Sequence, residues 1–267
     1  MTARDEILAS VRRSLHVSGD EAPRRAAVAA RLAQAPIGIV PARGQGDAAA
    51  RIATFKAEAA RAAATISEAP SADDVPIEIA RWLREGNMPA TLRMGADPRL
   101  AAMPWAATTI EVSHGPSDGY DLNAVSAAFA AVAETGTLAL VSGPENPTTL
   151  NFLPENHIAV VFADDVVGDF ESVFTRLRAA YGVGALPRTL NFVTGPSRSA
   201  DIEQTLMFGA HGPRRLHIVM DWTAELIFRP DIVKLDIERE ADLWVREKAA
   251  GPGRATPEWG RGLAPSR

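Results

Sequence analysis

The sequence predicts a doubly wound α/β domain built on a mostly parallel sheet. Two observations lead there. Short uninterrupted apolar runs at 138–141, 158–162, 190–193 and 216–220 alternate with amphipathic helical stretches, as expected of strands covered on both faces. The chain is also long enough, at 267 residues with 46% hydrophobic and 23% charged, to bury a sizeable core in one domain.

The elements follow in order. Ile7, Leu8, Val11 and Leu15 share one face of a helix over 3–16, with Arg4, Arg12 and Arg13 mostly elsewhere. Residues 18–47 lose periodicity and gain Gly, Pro and Arg, which predicts a flexible linker, so that 1–47 is an N-terminal helical extension. An Ala-rich helix is expected over 48–66, with Ile52, Phe55, Ala59, Ala62 and Ala63 along one side. Ser71, Asp73 and Asp74 suit the start of another, whose apolar face carries Val75, Ile79, Trp82 and Leu83 and which Gly86-Asn87 ends. Short β-like runs at 90–94 and 108–112 come next, then a helical pattern over 122–133 and the strand at 137–141. Beyond it the reading is strand 158–162, helix 170–181, strand 190–193, helix 200–208 and strand 216–220. The α/β body therefore spans 48–221. Residues 222–267 form a C-terminal extension, charged and helical around 238–248, then disordered.

Composition excludes several chemistries. There is no cysteine, so no disulfide, zinc–thiolate site, iron–sulfur cluster or cysteine nucleophile can come from this chain's side chains. The five histidines show no i,i+4 pair, and no metal site is expected. A formal charge of −5 gives no footprint for nucleic acid. No 18-residue apolar run is present, and the charged first helix is not a secretory signal, so no membrane span and a cytoplasmic placement are expected. The G-x-G-x-x-G, G-x-x-x-x-G-K-[ST] and G-x-S-x-G motifs are also missing.

Two loops carry the remaining chemistry. In Ala133-Glu134-Thr135-Gly136-Thr137, the glycine lets backbone approach a ligand and the threonines offer hydroxyls, while Glu134 is the candidate general base or nucleophile. The competing reading is a plain turn with Glu134 in solvent. In the segment 194–203, Gly195, Ser197, Arg198, Ser199, Asp201 and Glu203 sit at a predicted strand-to-helix junction. Either an anionic carboxylate or phosphate ligand on that helix start, or an ion pair to Asp201 or Glu203, would offset the charge of Arg198.

Topology adds an expectation. A helix over 200–208 would be roughly 13 Å long, which separates Arg198 from His211 unless a strand is reversed or a second subunit contributes. The 147–157 loop shares the edge of Arg198, so Thr149, Asn151 and His157 are its expected partners. For His157, at a strand start, a structural role is the alternative.

Four segments together, Ala-Glu-Thr-Gly-Thr (133–137), Pro-Thr-Thr-Leu-Asn-Phe-Leu-Pro-Glu-Asn-His-Ile (147–158), Gly-Pro-Ser-Arg-Ser-Ala-Asp-Ile-Glu (195–203) and Gly-Ala-His-Gly-Pro (209–213), resemble the lactate-utilisation protein C family, also called LUD-domain proteins. The likeness spans roughly 48–220, and residues 3–12 are similar to the family's leading helix. The resemblance implies a fold like that of the ribose-phosphate isomerase and CoA-transferase group. It also implies a part in oxidising L-lactate to pyruvate beside iron–sulfur subunits, with no cofactor in this chain. Two other readings stay open: a stand-alone CoA-transferase-like or sugar-phosphate-isomerase-like enzyme using Glu134, and a regulatory or scaffold domain.

Overall fold

The computed structural model describes residues 2–182, 184–199 and 207–222. Helix α1 (Ala3–Ser14) starts at a capping box in which Thr2 Oγ1 accepts from Asp5 N–H. A second helix, α2 (Ala22–Gln34), occupies the stretch read as an aperiodic linker. Pro23 at its first turn and its Ala and Arg content favour helix even without a buried face. The rest of that stretch is also tied down. Gly38 N–H donates to Glu171, Gln45 Nε2 donates to Asp169, and Gly44 lies directly on Gly168.

Next come α3 (Ala48–Arg61), β1 (Thr65–Ala69), α4 (Val75–Glu85) and β2 (Thr91–Met94). Asp47 caps α3 by accepting from Ala50 N–H. A short α5 (Pro98–Ala101) leads to β3 (Glu111–His114). Strands β4 (Asn123–Ala127) and β5 (Ala130–Val132) stand where the helical pattern over 122–133 was expected. Leu122, Val125, Phe129 and Val132 mimic a helical stripe, yet every residue from 123 to 134 except Phe129 is buried. Burial on two faces, with Ala and Ser fitting between layers, is the environment of a central strand.

The chain continues through β6 (Thr137–Val141), α6 (Thr148–Phe152), β7 (Asn156–Phe162), β8 (Val166–Val167) and α7 (Phe170–Tyr181). Then follow β9 (Leu190–Val193), β10 (Arg198–Ser199), β11 (Met207–Phe208) and β12 (Arg215–Asp221). Most of the helix expected over 200–208, and the extension expected beyond 222, lie outside the described residues. The described end of the former, Met207–Phe208, is a strand paired antiparallel with Arg198–Ser199.

Among the described residues the main sheet has six strands in the order β1-β12-β7-β4-β2-β3, every pair parallel. This is the mixed α/β architecture with a mostly parallel central sheet that the sequence predicts. A second sheet, β8-β5-β6-β9, is mixed, with β6 antiparallel to both β5 and β9. One face of the main sheet packs on α4 through Val75, Ile79, Leu83, Leu92, Ile158 and Val160. The other packs on α3 and β6 through Phe55, Ala59, Leu138, Leu140, Ala159 and Ile218. On the α4 face, His217 stacks on Trp82 at 4.5 Å between ring centroids and bonds Thr65 Oγ1 and Ser67 Oγ.

The two layers meet around the last turn of α3. Gly136 ends the β5–β6 turn at φ 64°, where a Cβ would stand 2.2 Å from Ala59 N. Gly195 follows β9 at φ 74°, where a Cβ would stand 2.0 Å from Ala62 O. Only glycine fits such contacts at positive φ. Together they hold the end of β9 over the amino-terminal edge of the main sheet. At the opposite edge, Arg99 and Arg176 both pair with Asp165, and Arg99 lies 4.5 Å over the Phe162 ring.

Candidate functional site

A cavity of about 290 Å³ lies where the β9 end meets the starts of β7 and β12. Its lining includes Asn151, His157, Thr194, Ser197, Arg198 and His211, with apolar walls from residues such as Phe152, Phe192 and Leu216. The size is near the lower end for small-molecule sites, generally about 300–1,000 Å³.

The floor is polar and buried. His157 and Asn151 are each 1% exposed. His157 Nε2 lies 2.7 Å from Ser126 Oγ on the neighbouring strand β4, while its Nδ1 is buried with no hydrogen-bond partner among the described residues. Both polar atoms of the Asn151 amide are likewise buried and without a partner among the described residues. Buried polar atoms nearly always find partners, so three orphans around one cavity mark a place built to receive a polar group. Burial pushes the His157 pKa down to about 4, so the imidazole is neutral at pH 7. The charge at the site comes instead from Arg198, which is exposed and pairs with no carboxylate among the described residues.

The structure sorts the residues expected from sequence. Asn151, His157, Gly195, Ser197, Arg198 and His211 come together in the cavity. The expected separation of Arg198 from His211 does not occur. Strand β9 runs antiparallel to β6, and 198–199 pair back on 207–208, so the chain returns to its starting point. Arg198 sits on strand β10, and the cavity borders the amino-terminal edge of the parallel sheet. Ser197 holds the turn: its Oγ accepts from His211 N–H at 3.3 Å and its carbonyl accepts from Gly209 N–H. Ser199 lies on β10, and Asp201 and Glu203 lie outside the described residues.

The other loop has a different part. Thr135, Thr137 and Thr194 form a hydroxyl chain with spacings of 2.7 and 2.6 Å, which joins the β5–β6 turn to the cavity wall at Thr194. Thr149 Oγ1 accepts from Ser117 N–H and braces a neighbouring loop. Glu134 is not in solvent. It is 4% exposed, its N–H donates to Gly168 O, and its Oε2 is buried without a partner among the described residues. It does not line the cavity. Ser126, which orients His157, escaped sequence reasoning because it fell in the stretch read as helix. Among the described residues no group of three or more His, Asp or Glu side chains could hold a metal, and no helix is long and apolar enough to cross a membrane.

The family described as the LUD domain matches residues 123–220, from β4 through β12. A lactate utilization protein C of Exiguobacterium sp. (strain ATCC BAA-1283 / AT1b) is 32% identical over 180 residues, 62% of this chain and 76% of that protein. Proteins of the same name from Shouchella clausii (strain KSM-K16) and Geobacillus thermodenitrificans (strain NG80-2) are 37% and 41% identical over 91 and 85 residues. Those two matches span 40% and 35% of the relatives' own length. A solved structure of a DUF162 family protein from Deinococcus radiodurans superposes with a TM-score of 0.51 at 22% identity, over 67% of this chain and all of that one. It shares the fold.

Proposed function

The chain belongs to the lactate utilization protein C family of LUD-domain proteins, and from that premise we propose that it serves lactate utilization as a subunit without redox clusters of its own. In this reading it works beside iron–sulfur subunits that oxidise L-lactate to pyruvate, and its cavity holds a small carboxylate. The observation that carries the proposal is the grouping around one cavity of Arg198, which pairs with no carboxylate among the described residues, with His157 Nδ1 and the Asn151 amide, which are buried and have no partner among them. A scaffold that had lost its ligand would have no reason to keep three orphaned polar atoms there, since each costs about 1–3 kcal/mol. The transferase-like or isomerase-like alternative needs Glu134 beside the substrate, and Glu134 is outside the cavity.

Because the chain has no thiol, the isolated protein should be colourless in the visible and free of iron. Affinity purification of the tagged chain from lactate-grown native host should bring down proteins with visible absorbance and stoichiometric iron. Stoichiometric iron in the isolated chain, or recovery with no iron-bearing partner, would overturn the subunit reading.

A further inference from the structure

We infer that residues 1–34 are a docking arm, and that the apolar stripe of α1 seats in a groove of a protein partner whose rim carries carboxylates. This rests on the subunit reading above and names the surface by which the iron-bearing partner is held.

Most helices in proteins are kept by the face they bury. Among the described residues, neither α1 nor α2 contributes a buried side chain, and at 12 and 13 residues both are marginal on their own. Yet Ile7, Leu8, Val11 and Leu15 recur on one side of α1, at 64%, 37%, 48% and 60% exposure. That spacing is the anchor pattern of a helix laid into a groove. The first bonds from this end of the chain to the body, among the described residues, are Gly38 N–H to Glu171 and Gln45 Nε2 to Asp169. Both helices therefore precede the point of anchorage.

Charge identifies the occupant. Residues 1–34 hold six arginines against four carboxylates, although the whole chain stands at −5. At the helical period Arg4 lies in line with the stripe and Arg12 along its margin. Asp5, near that margin, is engaged in the capping box, where its carboxylate accepts from Thr2 N–H and Thr2 Oγ1. On α2, Arg24, Arg25 and Arg31 share the face of Val28 and Leu32. An apolar stripe bordered by guanidinium groups is complementary to an apolar groove edged by Asp and Glu. A second copy of this chain offers the reverse charge: its cavity presents Arg198, and a second cleft is lined by Met207, Phe208, Arg214 and Arg215. An anionic membrane surface fits poorly, because the stripe has no aromatic side chain and Asp5 and Glu6 stand in the first turn.

Affinity purification of the tagged full chain from lactate-grown native host tests this, with wild type set against Leu8→Asp/Val11→Asp and Arg4→Glu/Arg12→Glu. Because α1 buries nothing, both variants should keep the wild-type urea midpoint. Iron recovered per mole of chain should fall about tenfold or more in each. The arginine pair exchanges one good helix former for another and leaves the stripe whole, so its loss cannot come from an unfolded α1. A benzophenone side chain at position 15 should cross-link to the iron-bearing protein, at a peptide where Asp or Glu flanks apolar residues. Undiminished iron in either variant, or a cross-link to this chain itself, would overturn the proposal and leave the subunit reading standing. So would sedimentation of the wild type with phosphatidylglycerol vesicles that the Leu8→Asp/Val11→Asp variant loses. If the wild type recovers no iron-bearing partner, the subunit reading itself is overturned and the docking proposal falls with it.

Discussion

Replacing Gly136 by valine should destabilise the protein by about 3–5 kcal/mol, enough to unfold many domains of this size. The position combines two penalties that do not relax together. Its φ of 64° costs a β-branched residue at least about 1–2 kcal/mol. The new Cβ would also lie 2.2 Å from Ala59 N and 2.5 Å from Glu58 C, both backbone atoms of α3. The turn must then lift off the helix, and the Thr135–Thr137–Thr194 hydroxyl chain goes with it. Urea denaturation followed by circular dichroism measures the loss. A variant within about 1 kcal/mol of wild type would show that the turn does not need this docking.

Acid should weaken the fold earlier than its carboxylates alone would. Burial holds the His157 and His217 pKa values at about 4, with the Arg81 charge adding to the effect at His217. In the unfolded chain both return to about 6.5. The neutral form is favoured in the native state, so this stability is fully present above pH 6.5. It is lost as pH falls from 6.5 through 4, because the unfolded chain then binds protons that the folded chain does not. Two histidines give a slope of up to about 2.7 kcal/mol per pH unit in the middle of that window, and a total of order 3 kcal/mol each below pH 4. Urea midpoints between pH 7 and 5 isolate this effect, since ordinary carboxylates titrate lower. Stability that stayed flat over that range would mean that these imidazoles are not held neutral.

What could be read from sequence divides along physical lines. Helix α7 and strands β6 and β9 have the bounds expected, and β7 and β12 differ from the reading by two residues or fewer, because their apolar runs are long enough to set a period. Strands β4 and β5 were misread because Ala and Ser carry little β preference, and their spacing with Val125 and Val132 imitates a helical stripe. Recognition that an apolar run is a strand says nothing of its direction. That is why the antiparallel course of β9, and with it the meeting of Arg198 and His211, was not legible. The site residues themselves were largely visible as polar punctuation next to buried runs. Their grouping depends on contacts between residues far apart in the chain, such as His157 with Ser126 and Gly195 with Ala62. Glu134 shows the converse: a prominent motif residue whose place is set by a turn packing on Gly44 and Gly168.

The most direct test of the central claim compares L-lactate binding by the wild-type chain, Arg198→Ala and Glu134→Gln, each first checked for native circular dichroism. If the cavity is the carboxylate site, Arg198→Ala should lose about 1.5–3 kcal/mol of binding free energy, a 10- to 150-fold weaker Kd, because a charge-assisted hydrogen bond is removed. Glu134→Gln should bind as wild type does, since Glu134 lies outside the cavity. The opposite pattern, with Arg198→Ala unchanged and binding lost in a well-folded Glu134→Gln variant, would contradict the account and move the site to the β5–β6 turn.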